Sequence, residues 1–114
     1  MMENLKDICR IAVVQASPVM FDKDACVDKV LRYIDECAAH GAQLIVFPEL
    51  FIPGYPYGMT FGFTVGSRKA DGRKDWKQYY DNSVTAAGPE MQRIIDRAVE
   101  RGVYVSIGYS ERDT

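Results

Sequence analysis

The run Leu44-Ile45-Val46-Phe47 closes on Pro48 and Glu49, and this short segment constrains the fold more than any other. Four consecutive apolar residues leave no polar face to turn toward water. Such a run reads as a strand covered on both faces, the habit of parallel sheets with helices packed on them. Pro48 has no N–H to give to a ladder, so strand pairing is expected to end there. Glu49 then stands where a strand leaves its sheet, the rim at which open α/β folds bind their ligands. The loop that follows, from Leu50 to Gly58, is apolar and aromatic and is stiffened by Pro53 and Pro56. Walls of this kind would strip water from Glu49 and make it a ready proton acceptor, as a general base requires. An acidic helix cap or a solvated loop residue would show the same local pattern. Tyr55 and Tyr57 either line a substrate pocket beside Glu49 or pack the loop onto the helix beneath.

The flanking sequence alternates strand and helix. Ile8 to Ala16 is rich in Ile and Val and reads as a first strand. Val27, Val30, Leu31, Ile34, Cys37 and Ala38 recur at three- and four-residue spacing, which is one apolar face of a helix. Asp22 or Asp24 can start that helix and Gly41 can end it. With the Phe47 strand this makes a β-α-β unit, expected to be right-handed and parallel. Further on, Gly88-Pro89-Glu90 reads as a helix start, with Glu90 serving the helix dipole alone. Met91, Ile94, Ile95, Ala98 and Val99 form its stripe, Gly102 its end, and Val103 to Tyr109 a third strand. The two halves read as similar α-β units rather than a repeat. Between them, from about Pro53 to Ala87, lies a glycine-rich and aromatic insertion with a short helix predicted over Asp75–Tyr80. A segment this long inside a compact domain points to a functional loop, an edge cover or an oligomer contact.

Composition excludes several classes. The chain has 114 residues and a net charge of −2, which favours neither nucleic acid nor an anionic membrane. Its first residues are polar and carry no apolar signal core, and no apolar run approaches the roughly 20 residues that span a bilayer. Three cysteines and no signal peptide fit a reducing cytoplasm. Cys9, Cys26 and Cys37 read as structural, and His40, in the last turn of a helix, as a complement to its dipole. No His or Cys spacing suggests a metal site. The turn Gln15-Ala16-Ser17-Pro18-Val19-Met20 lacks the glycines of a nucleotide-binding loop.

As a set, the segments Ile11-Ala12-Val13-Val14-Gln15, Gly41 to Glu49 and Pro53-Gly54-Tyr55-Pro56 resemble the N-terminal part of the nitrilase, or carbon–nitrogen hydrolase, superfamily. Asp81-Asn82-Ser83, the Gly88-Pro89-Glu90 helix start and Ser110-Glu111-Arg112 are similar as well. The long insertion and Tyr55-Pro56-Tyr57 look more like the nitrilase branch than the amidases. The resemblance implies an α/β fold that is the N-terminal part of a four-layer α-β-β-α sandwich. Residues 1–114 would be an incomplete N-terminal portion of a single hydrolase domain.

The family uses a glutamate, a lysine and a nucleophilic cysteine. Glu49 matches the glutamate, the base toward the thiol and later toward water. A thiol is a weak nucleophile until deprotonated, so the pairing is chemically sound. The lysine and cysteine motifs lie further along than Thr114. Arg68-Lys69 and Arg73-Lys74 sit in the insertion and do not match the lysine motif. The implied reaction turns a nitrile into a carboxylic acid and ammonia through a cysteine thioester. It needs no cofactor, takes a small-molecule nitrile or amide, and is run by a homo-oligomer when full length. An amidase or cyanide-hydrolysing member of the superfamily is the alternative. So is an inactive truncated product that binds a complementary chain; the 114 residues alone are expected to be inactive.

Overall fold

Asp22 opens the first helix: its carboxylate accepts the Ala25 N–H at 3.0 Å, satisfying one of the donors that a first turn leaves unbonded. The computed structural model describes residues 8–56, 63–64, 67–68 and 70–113. In it β1 (Ile11–Val13) leads to α1 (Lys23–Ala39) and then β2 (Leu44–Val46). Val27, Val30 and Ile34 on the predicted stripe are fully buried. The His40 N–H bonds back to the carbonyls of Glu36 and Cys37, and the chain turns at Gly41 straight into β2.

A small antiparallel pair follows, β3 (Phe63–Thr64) with β4 (Ser67–Arg68), and then α2 (Ala70–Asp81). The insertion therefore holds regular structure, and its helix is longer than the predicted Asp75–Tyr80. Next come α3 (Pro89–Arg101), with Gly88 before it and Gly102 after it, and β5 (Tyr104–Ser106). The strands lie side by side in the order β1-β2-β5, all parallel, with Ala12, Ile45 and Val105 in register. Mixed helix and parallel sheet make the fold α/β.

The ladders are shorter than the apolar runs. Ile8 to Ala16 yields a strand only over Ile11–Val13, and 103–109 only over Tyr104–Ser106. The apolar residues just outside still pack: Val14 and Phe47 are buried, and Ile107 and Tyr109 lie against the core. Burial of β2 on both faces is not what the described residues give. Ile45 faces the helices and is fully buried, while Leu44 and Val46 point the other way and are half-buried. On that second face Ile11, Val13 and Tyr104 are exposed, because no element among the described residues stacks against it.

α1 and α3 pack on each other over the covered face. Arg93 pairs with Asp28 at 2.6 Å, and Asp35 receives both Arg97 and Arg101. Burial raises the Asp35 pKa, but the two arginine hydrogen bonds outweigh it and the net shift is downward. Glu90 corrects the sequence reading. It is buried and pairs with Lys23 at 2.8 Å, joining the amino ends of α3 and α1. Partial desolvation pushes its pKa up, yet the Lys23 contact leaves it lowered overall. The pair is invisible to local sequence patterns because Lys23 is remote in sequence and meets Glu90 only once the helices pack.

Candidate active-site rim

Past Val46 the main chain keeps one more hydrogen bond, from Phe47 N–H to the Ser106 carbonyl at 2.8 Å. Pro48 has no N–H, so the ladder breaks as expected. It then resumes. Phe51 N–H bonds the Gly108 carbonyl and Ser110 N–H bonds the Ile52 carbonyl, each at 2.8 Å. Between the Val46–Ser106 and Ile52–Tyr109 pairings, the five residues Phe47 to Phe51 stand opposite only Ile107 and Gly108. The extra residues form a bulge just past the end of β2, and bulges re-aim side chains at sheet rims. Leu50 makes the turn with a φ of 46°, unusual for a residue with a side chain. The Phe47 and Phe51 rings, 5.6 Å apart, pack together at the foot of the bulge.

Glu49 is carried at the apex, beyond the carboxyl end of β2. It lines a cavity of about 450 Å³ together with Ser17, Pro18, Met20, Pro48, Phe51 and Tyr55. The expectation that Glu49 would be stripped of water is not met: its side chain is exposed. The apolar loop supplies only one side of the cavity.

The opposite wall comes from the loop after β1. Phe21 N–H bonds the Pro53 carbonyl at 3.1 Å, and Lys29 Nζ holds the Ser17 carbonyl at 2.5 Å. Gly54 lets the two loops close on each other. Its φ is 112°, and a Cβ there would sit 2.2 Å from the Met20 sulfur and 3.1 Å from Pro18 Cγ. From α2, the Tyr79 hydroxyl donates to the Gly54 carbonyl at 3.0 Å. Ser17, Pro18 and Met20 carry no motif that marks them as site residues in the sequence. Their only signal was position, in the turn after a strand parallel to β2.

Tyr55, at 42% exposure, shares the Glu49 cavity. Tyr57 and Lys69 lie outside the described residues. Arg73 and Lys74 are exposed on α2, and neither lines the cavity. Cys26 is buried and donates to the Val19 carbonyl at 3.0 Å; burial pushes its thiol pKa up, which disfavours the reactive thiolate. Cys37 is half-buried, with its thiol pushed up the same way. Cys9 is exposed, so it does not pack as the structural reading supposed. The His40 Nδ1 lies 2.8 Å from the Glu36 carbonyl and closes the last turn of α1. Among the described residues no group of three or more His, Cys, Asp or Glu is placed to hold a metal, and no helix is long and apolar enough to cross a membrane.

Comparison with known proteins bears on this arrangement. The family model for carbon–nitrogen hydrolases matches residues 10–114. A bifunctional nitrilase/nitrile hydratase of Nicotiana tabacum is 44% identical over 104 residues, covering 91% of this chain and 30% of the tobacco protein. An aliphatic nitrilase of Sinorhizobium fredii is 42% identical over 104 residues, 91% of this chain and 34% of its own. Nitrilase 1 of Arabidopsis thaliana is 40% identical over the same length, again 91% and 30%. The chain thus spans about a third of the length of the curated relatives it matches. A parallel β-α-β frame, a glutamate on the rim of its middle strand and a family match across nearly every residue agree, and the chain belongs to the carbon–nitrogen hydrolase family.

Proposed function

We propose that residues 1–114 are the N-terminal portion of a nitrile-hydrolysing domain and that Glu49 is its general base. The observation that carries this reading is the placement of Glu49, beyond the carboxyl end of the middle strand and on one cavity with Tyr55. In the complete enzyme the Glu49 carboxylate takes the proton of a cysteine thiol supplied by the rest of the domain. The thiolate adds to the nitrile carbon, and a lysine from the same region stabilises the charge that builds on nitrogen. A first water adds to the resulting thioimidate carbon, ammonia leaves and a thioester remains; Glu49 then activates a second water, which hydrolyses the thioester to the acid and frees the thiol. Tyr55 and Tyr57 contact the substrate. The uncovered sheet face, with Ile11, Val13 and Tyr104, is the surface on which the second sheet of a four-layer α-β-β-α sandwich packs. The working form is a cytoplasmic homo-oligomer.

The test is ammonia release from nitriles by the complete hydrolase carrying these residues, beside its Glu49→Gln variant. The variant keeps the side chain's size but cannot accept a proton at neutral pH, and turnover should fall by about 10²–10⁴. Glu49 is exposed, so the thermal midpoint should not move. Turnover above about a tenth of the parent's would remove Glu49 from the base role. The same assay should quantify amide beside acid, since the Nicotiana tabacum relative is named for both activities. The 114-residue chain alone, which lacks the family's cysteine motif, should release no ammonia.

A further inference from the structure

We propose that Gly108 is a positioning residue for Glu49: the absence of a side chain there forms the floor on which the Glu49–Leu50 peptide rests. The proposal depends on Glu49 being the general base. Gly108 lies just beyond β5, and its carbonyl accepts the Phe51 N–H. A Cβ at this position would stand 2.7 Å from Leu50 N, 3.0 Å from Glu49 Cα and 3.3 Å from Glu49 C. All three are main-chain atoms, so no change of rotamer can make room.

The backbone around them is pinned on both sides. Phe47 is bonded to Ser106 before the bulge, and Phe51 to Gly108 and Ile52 to Ser110 after it. Pro48 fixes its own φ, and Leu50 already sits in the left-handed region. The peptide between Glu49 and Leu50 is the part left to move. A methyl group at 108 would lift it, and the shift grows along the side chain to the carboxylate. Gly108 itself has no positive φ, so any residue could adopt its backbone conformation; the constraint is space alone. A misplacement of about 1 Å in a reacting group costs on the order of 10²-fold in rate.

The experiment measures kcat, KM and the pH dependence of kcat for the complete hydrolase and its Gly108→Ala, Glu49→Gln and doubly substituted forms. Gly108→Ala should lower kcat about 10- to 100-fold, leave KM within about threefold and move the acid limb of the profile. The double variant should be no slower than Glu49→Gln, because a misplaced base and an absent base fail at the same step. Gly108→Ala with kcat within about twofold of the parent would overturn the positioning role, as would independent, multiplying losses in the double variant. If Gly108→Ala does not fold, Leu50→Gly decides. Glycine takes the left-handed conformation freely and slackens the same peptide without a clash. Lower kcat at unchanged KM supports the proposal, and unchanged kcat overturns it. An active Gly108→Ala beside an inactive Glu49→Gln rejects the positioning role alone, whereas an active Glu49→Gln rejects the base reading and this proposal with it.

Discussion

The helical side of the sheet and the rim beyond β2 are held together by different means. Between α1 and α3 the joins are made by side chains: the buried stripe of Val27, Val30 and Ile34, the arginines on Asp28 and Asp35, and the Lys23–Glu90 pair. At the rim the joins are made largely by main chain. Phe47, Phe51, Ser110 and Phe21 each donate a backbone N–H to a carbonyl on a neighbouring segment. Side-chain joins resist by packing and charge, and a substitution there is felt as lost stability. Main-chain joins depend on what is missing, as at Gly54 and Gly108, and a substitution there is felt as lost direction. A stable frame can therefore carry a rim that is exposed at its apex and still fixed in aim.

This division can be broken by experiment. In the complete hydrolase, Ile34→Ala removes a fully buried side chain from the α1 face and should cost about 2–5 kcal/mol, read from denaturant or thermal unfolding. Turnover per folded molecule should stay at the parent level; a fall like that expected for Gly108→Ala would mean that the two regions are not separable. Glu90→Gln should be milder. It leaves Lys23 without its charged partner in a largely desolvated pair and should cost about 1–3 kcal/mol, again without effect on kcat. A thermal midpoint unchanged by Glu90→Gln would return that residue to the simple dipole role read from the sequence.

The smallest effect is on pH dependence. The carboxyls of Asp35 and Glu90 are both lowered in the fold, so the folded state resists protonation more than the unfolded chain does. Their contribution is complete above the unfolded values of about 4, and it disappears as pH falls through the lower folded ones. Thermal midpoints taken from pH 7 downward should drop in that acid window. Asp35→Asn with Glu90→Gln should flatten the drop, and an acid limb of unchanged slope would place the sensitivity elsewhere.

The same division explains what could be read from the sequence. The β-α-β frame, an acidic start to α1 at Asp22 or Asp24, the α1 and α3 stripes and the helix stop at Gly102 follow from periodicity and capping, which are local. So does the position of Glu49, set by an apolar run and a proline. The shape of the rim was not legible. Nothing near Pro48 says that pairing resumes at Phe51, because its partner Gly108 lies in another element. The exposure of Glu49 is not legible for a related reason: an aromatic loop encloses a residue only where other segments close round it, and here it forms one wall. The Lys23–Glu90 pair was missed because it joins two helix starts far apart in the chain.

The bulge also has a place in time. Its floor arrives about sixty residues after Glu49 leaves the ribosome. At about 5–20 residues per second, β1, α1 and β2 exist for several seconds before Gly108 is available. Closing so long a loop carries an entropic cost that the local helix turns do not. The carboxylate of Glu49 is thus among the last parts of this segment to acquire a fixed direction, and a chain stalled before β5 would display the glutamate without an aim.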